Sequence, residues 1–384
     1  MKIVQINSFS NGSTGSIMMN IHNELLKNNI DSYVVWGRGR KSNNNHEIFM
    51  NDKIGVYFHA LYVRFTGRDG FASHYSTKKL LKKLDEIKPD IVHLHNIHGY
   101  YINIEMLFNY LKTNNIKVIW TLHDCWAITG HCAYFTVANC NKWMTHCNNC
   151  PIIYTYPKSL IDNSYWNYEK KMRIFDDANI TIVTPSNWLS NIIKKSFLNK
   201  FPLTVINNGI NTAIFKPTLS NFREKYNLKH QKIILGVANV WDKRKGLDDF
   251  IDLSKIIDDN YKIVLVGLSK KQINNIPVNI LGLERTKNPE ELAKIYSAAD
   301  ILFNPTHEEN YPTVNLEANA CGIPVVTYNT GGSPETVKFG IVTNLNDFKK
   351  NYKNIIDNVY IKKTNCCSIN NMVKSYLNLY NIYK

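Results

Sequence analysis

No stretch of this 384-residue sequence approaches the ~20 consecutive apolar residues that a membrane-spanning helix requires. The opening MKIVQINSFSNGSTG is too short and too alternating in its apolar residues to read as a secretory leader. These absences predict a cytoplasmic protein. Low-complexity tracts are also missing: the many asparagines are scattered through periodic segments, and no disordered tail is expected. Acidic residues are scarce, 31 against 46 Lys and Arg, for a formal net charge of +15. An anionic partner follows, whether nucleic acid, an acidic membrane surface or a phosphorylated ligand; a lysine-rich solvated surface is the plain alternative. The eight cysteines do not contradict a cytoplasmic protein, because four crowd into one short segment, a pattern that suits a metal as readily as a disulfide.

At this length one hydrophobic core no longer keeps growing, so two domains of roughly 150 to 200 residues are expected. The 44% hydrophobic and 20% charged residues fit a folded enzyme. Short β-branched runs alternate with helical periods: KIVQIN, SYVVWG, DIVHLHN, KVIWTLHD and ITIVTPS, then KIILGVAN, YKIVLVG, VNILGL, DILFNP and IPVVTYNT. Ile17, Ile21 and Leu25 mark the first crossover helix behind the turn SNGSTGS. The series predict two doubly wound α/β units joined near residues 205 to 216. The expected divisions are 1–205 with a cysteine-rich insert at 130–151, 206–368, and a closing helix at 369–384 that packs Met372, Tyr376 and Leu379 back on the first unit. Ligands of such sheets collect at the carboxyl ends of the strands, which predicts a site in a cleft between facing units.

In HEENYPTVNLEANACGIPVV, residues 307–326, Glu309 falls in a strand-to-helix loop and Glu317 lies about one and a half turns into the following helix. Pro312 suits the first helical turn, and Gly322 and Pro324 end the helix and start the next strand. A helix N-terminus carries unclaimed N–H groups and partial positive charge, so a phosphate fits against Pro312, Thr313, Val314 and Asn315. The two carboxylates would then accept from hydroxyls, such as a ribose diol at one end of a diphosphate and a hexose at the other. The plain alternative is one loop charge and one helix-surface charge.

The Glu309-x7-Glu317 spacing resembles the signature of the family-4 retaining glycosyltransferases. The resemblance extends over nearly the whole chain through the Gly12 and Gly15 turn, HLHN (93–96), TLHD (121–124), TPSNWL (184–189), VINNGIN (205–211), RKG (244–246) and TGGSPE (330–335). It implies a GT-B fold, two Rossmann-like domains facing a cleft, with the acceptor in the N-terminal domain and a UDP- or GDP-linked sugar in the C-terminal one. Position by position, it implies that Glu309 contacts the transferred sugar, Glu317 the ribose and Lys245 the diphosphate. The Gly12 to Gly15 turn would approach that diphosphate, and His123 would bind the donor sugar near the bond being broken. Many members carry an arginine six residues before this lysine; here that position is Asn239, and Arg244 or Lys243 is the candidate replacement. No Asp-x-Asp motif follows a strand, which matches a class that needs no divalent cation or other catalytic cofactor. Transfer with retention is implied, the departing phosphate oxygen taking the acceptor proton, in bacterial-type surface polysaccharide or glycoconjugate synthesis. A glycosidase-style double displacement is disfavoured, because Glu317 faces the nucleotide end and cannot flank the same anomeric carbon.

On the acceptor side, VHLHNIHGYYIN offers His95, Asn96, His98 and Tyr100, with His93 better read as a strand-core histidine. The acceptor class implied is a glycan or lipid-linked glycan. Cys132, Cys140, Cys147 and Cys150 are candidate ligands of a structural zinc pinning a long loop, with free thiols or a disulfide as alternatives. The helix STKKLLKKLDEIKPD sets Leu80, Leu84 and Ile87 opposite Lys78, Lys79, Lys82 and Lys83. That pattern suits an ordinary surface crossover helix, or one resting peripherally on the anionic inner face of a plasma membrane. Rival functions are a GT-B nucleotide-sugar epimerase or hydrolase acting without acceptor and, with less support, a nucleic-acid-binding protein. The last is disfavoured because basic residues spread over both halves and form no one interface module.

Overall fold

The computed structural model describes residues 1–50, 52–358 and 368–383. Its chain forms two compact units, Met1–Asn207 with Met372–Lys384, and Asn208–Asn371. The expected divisions at 205 and 368 therefore move by a few residues. The second shift has a visible cause: Ile210 bridges Ser368 and its carbonyl accepts from Ile369 N, so the start of the last helix closes the second unit. Residues 359–367, at the end of the expected second domain, lie outside the described residues.

The first unit is built on seven parallel strands: β1 (Lys2–Phe9), β2 (Asp31–Arg38), β3 (Glu47–Phe49), β4 (Ile91–Leu94), β5 (Lys117–Thr121), β6 (Ile180–Thr184) and β7 (Leu203–Val205), in the order β3-β2-β1-β4-β5-β6-β7. The second has six among the described residues: β8 (Lys232–Val237), β9 (Tyr261–Val266), β10 (Ile280–Leu283), β11 (Ile301–Asn304), β12 (Val325–Tyr328) and β13 (Gly340–Thr343), ordered β10-β9-β8-β11-β12-β13 and again parallel. Strands covered on both faces must be apolar along their length; β6 and β11 are buried at every residue. Three of the four edge strands, β3, β7 and β13, escaped the sequence reading because they are short and only partly buried.

In each sheet the strand order reverses once, between β1 and β4 in the first and between β8 and β11 in the second. Loops leaving such neighbours diverge to opposite faces and open a crevice at the strand ends, where ligands of this architecture bind. Gly15 allows the first of these turns to close: a Cβ there would stand 2.6 Å from Ser10 C and 2.8 Å from Phe9 O.

The closing helix, Ile369–Asn381, buries Met372, Tyr376 and Leu379, and polar pins fix it to the sheet as well. Tyr380 OH meets His93 Nδ1 at 2.7 Å, Tyr376 OH meets Thr121 Oγ1 at 2.9 Å, and Tyr383 OH meets Thr181 Oγ1 at 2.7 Å. His93 is thereby a satisfied core histidine. The helix His74–Ile87 buries Leu80 and Leu84 and exposes Lys78, Lys79, Lys82 and Lys83, as an amphipathic crossover should. No helix among the described residues is long and apolar enough to cross a membrane.

Candidate active site

The reversal point of the second sheet receives a cation from one side and a carboxylate from the other. After β8, Asp242 caps a short 3-10 turn, Lys243–Lys245, by accepting from Lys245 N at 3.0 Å. Gly246 then takes φ +74°, where a Cβ would lie 2.3 Å from Pro305 O, so only glycine lets this turn rest against the loop after β11. Two bonds to the Arg244 carbonyl, from His307 N (2.8 Å) and Thr306 Oγ1 (3.3 Å), clip the two loops together. Across that junction Lys245 Nζ and Glu309 Oε2 form an ion pair in which both side chains are largely buried.

Burial alone would raise the Glu309 pKa, but the Lys245 ammonium holds it below the usual carboxylate value, with Arg244 adding to the effect. Glu309 is therefore a stable anion. Arg244 itself donates to Glu308 O at 2.9 Å, which fixes its guanidinium beside the pair, while Lys243 and Asn239 are exposed. The carbonyl of Glu309 is covered by the Thr330–Gly332 turn, a contact no single-residue signal in the sequence announced. Gly331 has φ +57°, and a Cβ there would fall 1.8 Å from Glu309 O. Gly331→Ala is thus expected to destabilise the unit by about 2 kcal/mol or more, from the left-handed φ plus displacement of the loop. Gly12→Ala, at φ +73° but with nothing within 4 Å of its Cβ, should cost only about 1 kcal/mol. Urea unfolding of both variants measures the difference; equal losses would show that the Glu309 contact is immaterial.

The helix after Glu309 runs from Thr313 to Ala320 with Pro312 as its N-cap. Pro312 thus stands one position outside the helix and, lacking an N–H, offers no donor. Thr313 and Val314 occupy the first two helical positions, whose N–H groups have no acceptor within the helix. Asn315 departs from its expected role. Its N–H bonds back to Pro312 O (3.3 Å), and its buried side chain accepts from Asn304 Nδ2 (2.9 Å) and donates to Thr336 Oγ1 (2.8 Å). It is a tie between β11, the helix and the Pro334–Thr336 turn, and does not face a ligand.

Glu317 is not a helix-surface charge. It is partly buried and accepts from Tyr296 OH at 3.0 Å. Burial raises its pKa to about 7, against a smaller lowering by the hydrogen bonds of Tyr296 and Thr313. The two glutamates therefore differ in chemistry: Glu309 is held ionised by a cation, Glu317 is poised between its two forms. Tyr296, Gly331 and Gly332 are the partners that sequence reading missed, although TGGSPE had been singled out as a motif.

At the carboxyl ends of β4 and β5 the first unit carries a histidine cluster. His123 Nε2 lies 3.0 Å from His95 Nδ1 with the rings stacked, and His95 Nε2 lies 3.3 Å from Gln5 Oε1. Burial pushes the His123 pKa down to about 4 despite Asp124 beside it, so the ring is neutral at neutral pH. His95 is 1% exposed with both nitrogens engaged, so it cannot contact an acceptor as expected; its place is behind His123. Asn96 is partly exposed and its N–H donates to Asn7 Oδ1 at 3.1 Å, tying the β1 and β4 ends together.

His98 and Tyr100 belong to a neighbouring group that also includes Asp124 and Tyr156. His98 Nε2 meets Asp124 Oδ2 at 2.9 Å and its Nδ1 meets Tyr156 OH at 2.9 Å. Burial works against a charged His98, yet Asp124 raises its pKa above the ordinary value. Tyr100 adopts φ +70°, a costly backbone state for an aromatic residue, and packs edge-on against Tyr156. Asp124 was present in TLHD, but Tyr156 lies far away in sequence and carried no signal.

Two doubly wound parallel sheets in separate units, the second with a lysine and a carboxylate paired at its reversal point, define a protein of the GT-B architecture. Residues 14–214 match the family described as Glycosyltransferase Family 4, and residues 220–360 match Glycosyl transferases group 1. The chain belongs to Glycosyltransferase Family 4, with a group 1 glycosyl transferase match in its second half, and glycosyl transfer is its activity. It is 23% identical over 356 residues, 88% of this chain and 85% of the relative, to an Escherichia coli K12 protein named "Putative colanic acid biosynthesis glycosyl transferase WcaC". Among solved structures it resembles sucrose-phosphate synthase from Thermosynechococcus elongatus, with TM-score 0.72, 14% identity and 99% and 98% of the two chains covered. It also resembles Anabaena HepE in complex with UDP-glucose, with TM-score 0.66, 13% identity and 100% of each chain covered.

Proposed function

We propose that this glycosyltransferase moves a sugar from a nucleoside diphosphate donor to a glycan or lipid-linked glycan acceptor, with retention of configuration, in the assembly of a surface polysaccharide. The observation that carries the proposal is the Lys245–Glu309 pair at the β8/β11 reversal point, set just ahead of the Thr313–Ala320 helix N-terminus. An ammonium has three donors, so Lys245 can keep Glu309 and still bind a diphosphate oxygen. The helix terminus adds N–H groups to the same anion. Glu309, anchored by Lys245, would accept from a hydroxyl of the transferred sugar, and Glu317 from the ribose. The leaving diphosphate would gain its stabilisation from these fixed positive groups and take the acceptor proton on the face it departs from.

In the first unit, His123 is proposed to contact the donor sugar as a neutral imidazole and the Gly12 to Gly15 turn to approach the diphosphate. Asn96, His98 and Tyr100 are proposed to meet the acceptor. The colanic acid name of the Escherichia coli relative and the UDP-glucose bound to HepE support a surface-polysaccharide setting and a UDP-linked donor. The exposed lysines of His74–Ile87 support a peripheral contact with anionic lipid. Thermal-shift screening against UDP, GDP, ADP and their sugars, followed by transfer assays with glycan and lipid-linked acceptors, tests the proposal. Stabilisation by UDP or its sugars is expected. No shift with any of them removes the donor, and sugar released equally fast without acceptor marks a hydrolase.

The protonation of Glu317 supplies a further expected result. Between pH 4.5, its ordinary value, and about 7 the unfolded carboxyl has lost its proton while the folded one keeps it. Its contribution to stability therefore falls as pH rises through that window. Ribose hydroxyls donating to the ionised form reverse the preference, so UDP should bind more tightly as pH rises through about 7. Calorimetry in buffers of different ionisation enthalpy should detect proton release on binding. Glu317→Gln should bind more weakly and without that release; unchanged proton release in the variant would separate Glu317 from the nucleotide.

A further inference from the structure

Between Cys125 and Asn163 the first unit has only two three-residue 3-10 turns of regular structure, Trp126–Ile128 and Lys142–Met144. A loop of this length without its own core needs another source of order. Cys132, Cys140, Cys147 and Cys150 all line one small cavity of about 20 Å³, together with His131 and Trp143. That is room for a single ion or a single water. The four are free thiols.

Burial raises the thiols of Cys132, Cys147 and Cys150 above the ordinary value, and two backbone donors oppose that rise. Gly130 N–H donates to the Cys147 sulfur and Ile152 N–H to that of Cys150. The first contact requires glycine, because a Cβ on Gly130 would stand 2.9 Å from Cys147 Cβ and 2.0 Å from Ser164 O. The turn from Cys147 to Cys150 passes through Asn149 at φ +43°, and Lys142 Nζ binds the carbonyls of Asn148 (2.9 Å) and Asn149 (2.8 Å). That bracing fixes the Cys147-x2-Cys150 turn, a spacing that suits a tetrahedral metal knuckle.

A buried lysine, whose pKa burial lowers to about 7, stands beside them. Lys171 is 1% exposed; its Nζ is held by the carbonyls of Trp126 (2.7 Å) and Thr129 (3.0 Å), and Asp69 foremost, then Cys147 and Cys132, favour its charged form. Burying an ammonium on neutral carbonyls is costly unless negative charge lies close by. His146 is excluded as a ligand, since its Nε2 is occupied by Glu169 at 2.7 Å.

We propose that Cys132, Cys140, Cys147 and Cys150 bind one zinc ion as four thiolates, and that this ion orders the segment carrying Tyr156 to its place against His98. In the side-chain positions of the structure no three His, Cys, Asp or Glu of the described residues converge at ligating distance. Binding thus requires the thiols lining the cavity to turn about χ1 onto the ion, the one torsion each possesses. Their protons pass to solvent, leaving a centre of net charge about −2 that Lys171 and Lys142 offset. The site goes beyond sugar transfer and does not depend on the donor assignment.

The test uses the full-length protein purified under reducing conditions. Elemental mass spectrometry is expected to find about one zinc per chain, and a mercurial thiol reagent should release it to a zinc-indicator dye. Cys147→Ser should retain less than about a tenth of that zinc, whereas Cys321→Ser, altered in the other unit, should retain all of it. Should Cys147→Ser fail to fold, the wild type decides: a strong chelator should lower its melting temperature and added zinc restore it. Absence of zinc both as purified and after reconstitution would overturn the proposal. So would a disulfide among the four in the intact mass, or full zinc in Cys147→Ser. A thermal shift with UDP that persists in any of these cases would leave the donor proposal standing.

Discussion

Glu309→Gln is expected to lower kcat by about a thousandfold while leaving UDP affinity nearly unchanged, as for removal of a group that acts mainly in the transition state. Glutamine keeps the size of the side chain and removes its charge. Lys245 loses its fixed partner and becomes more available to the diphosphate, so nucleotide binding should not weaken. The sugar loses an anionic acceptor whose ionisation the neighbouring ammonium guarantees. Initial-rate kinetics with UDP-sugar, together with calorimetry of UDP alone, separate the two effects. A variant that transfers sugar at the native rate would sink the proposed role.

Lys245→Ala should act in the opposite sense on binding. Losing a charge-assisted bond to the diphosphate costs about 1.5–3 kcal/mol, or roughly 10- to 150-fold in donor affinity. The substitution also leaves Glu309 buried without its cation, a further stability loss of about 3 kcal/mol at neutral pH. The pH dependence carries a sign. With Lys245 present, the depressed pKa of Glu309 contributes stability above pH 4.5 that is lost as pH falls through the folded value. Without Lys245 burial dominates, the carboxyl keeps its proton when folded, and the penalty shrinks as pH falls toward 4.5.

The double variant Lys245→Ala/Glu309→Gln should recover part of the stability, measured by urea unfolding as a double-mutant cycle. Arg244→Ala is the control. It should weaken UDP binding if its guanidinium stands in for the arginine missing at Asn239, and leave binding intact if the bond to Glu308 O is its whole role. Equal UDP affinity in Lys245→Ala and the wild type would remove the lysine from the donor site.

The sequence by itself determined the α/β class and the two series of strands, and its family resemblance named Lys245 and Glu309 as separate candidates for the diphosphate and the sugar. Buried parallel strands must be apolar throughout, and loops that carry ligands depart from that pattern; both features are written in local residue order. The alternation of KIILGVAN, DILFNP and IPVVTYNT placed β8, β11 and β12 within a few residues of where they lie. Gly12 was visible as part of the turn after the first strand, and the structure gives it a left-handed backbone.

Only tertiary structure decided which polar side chains face a ligand and which are consumed inside the protein. Asn315 and His95 carry the right chemistry at plausible spacing, yet the first is tied to Asn304 and Thr336 and the second to His123 and Gln5. Likewise Tyr156 reaches His98 across 58 residues of chain, and Tyr296 finds Glu317 from another helix. Hydrogen bonding and desolvation depend on atoms that are neighbours in space and strangers in sequence. Local pattern can therefore nominate a titratable residue, but its charge and availability are fixed by the partners that folding brings to it.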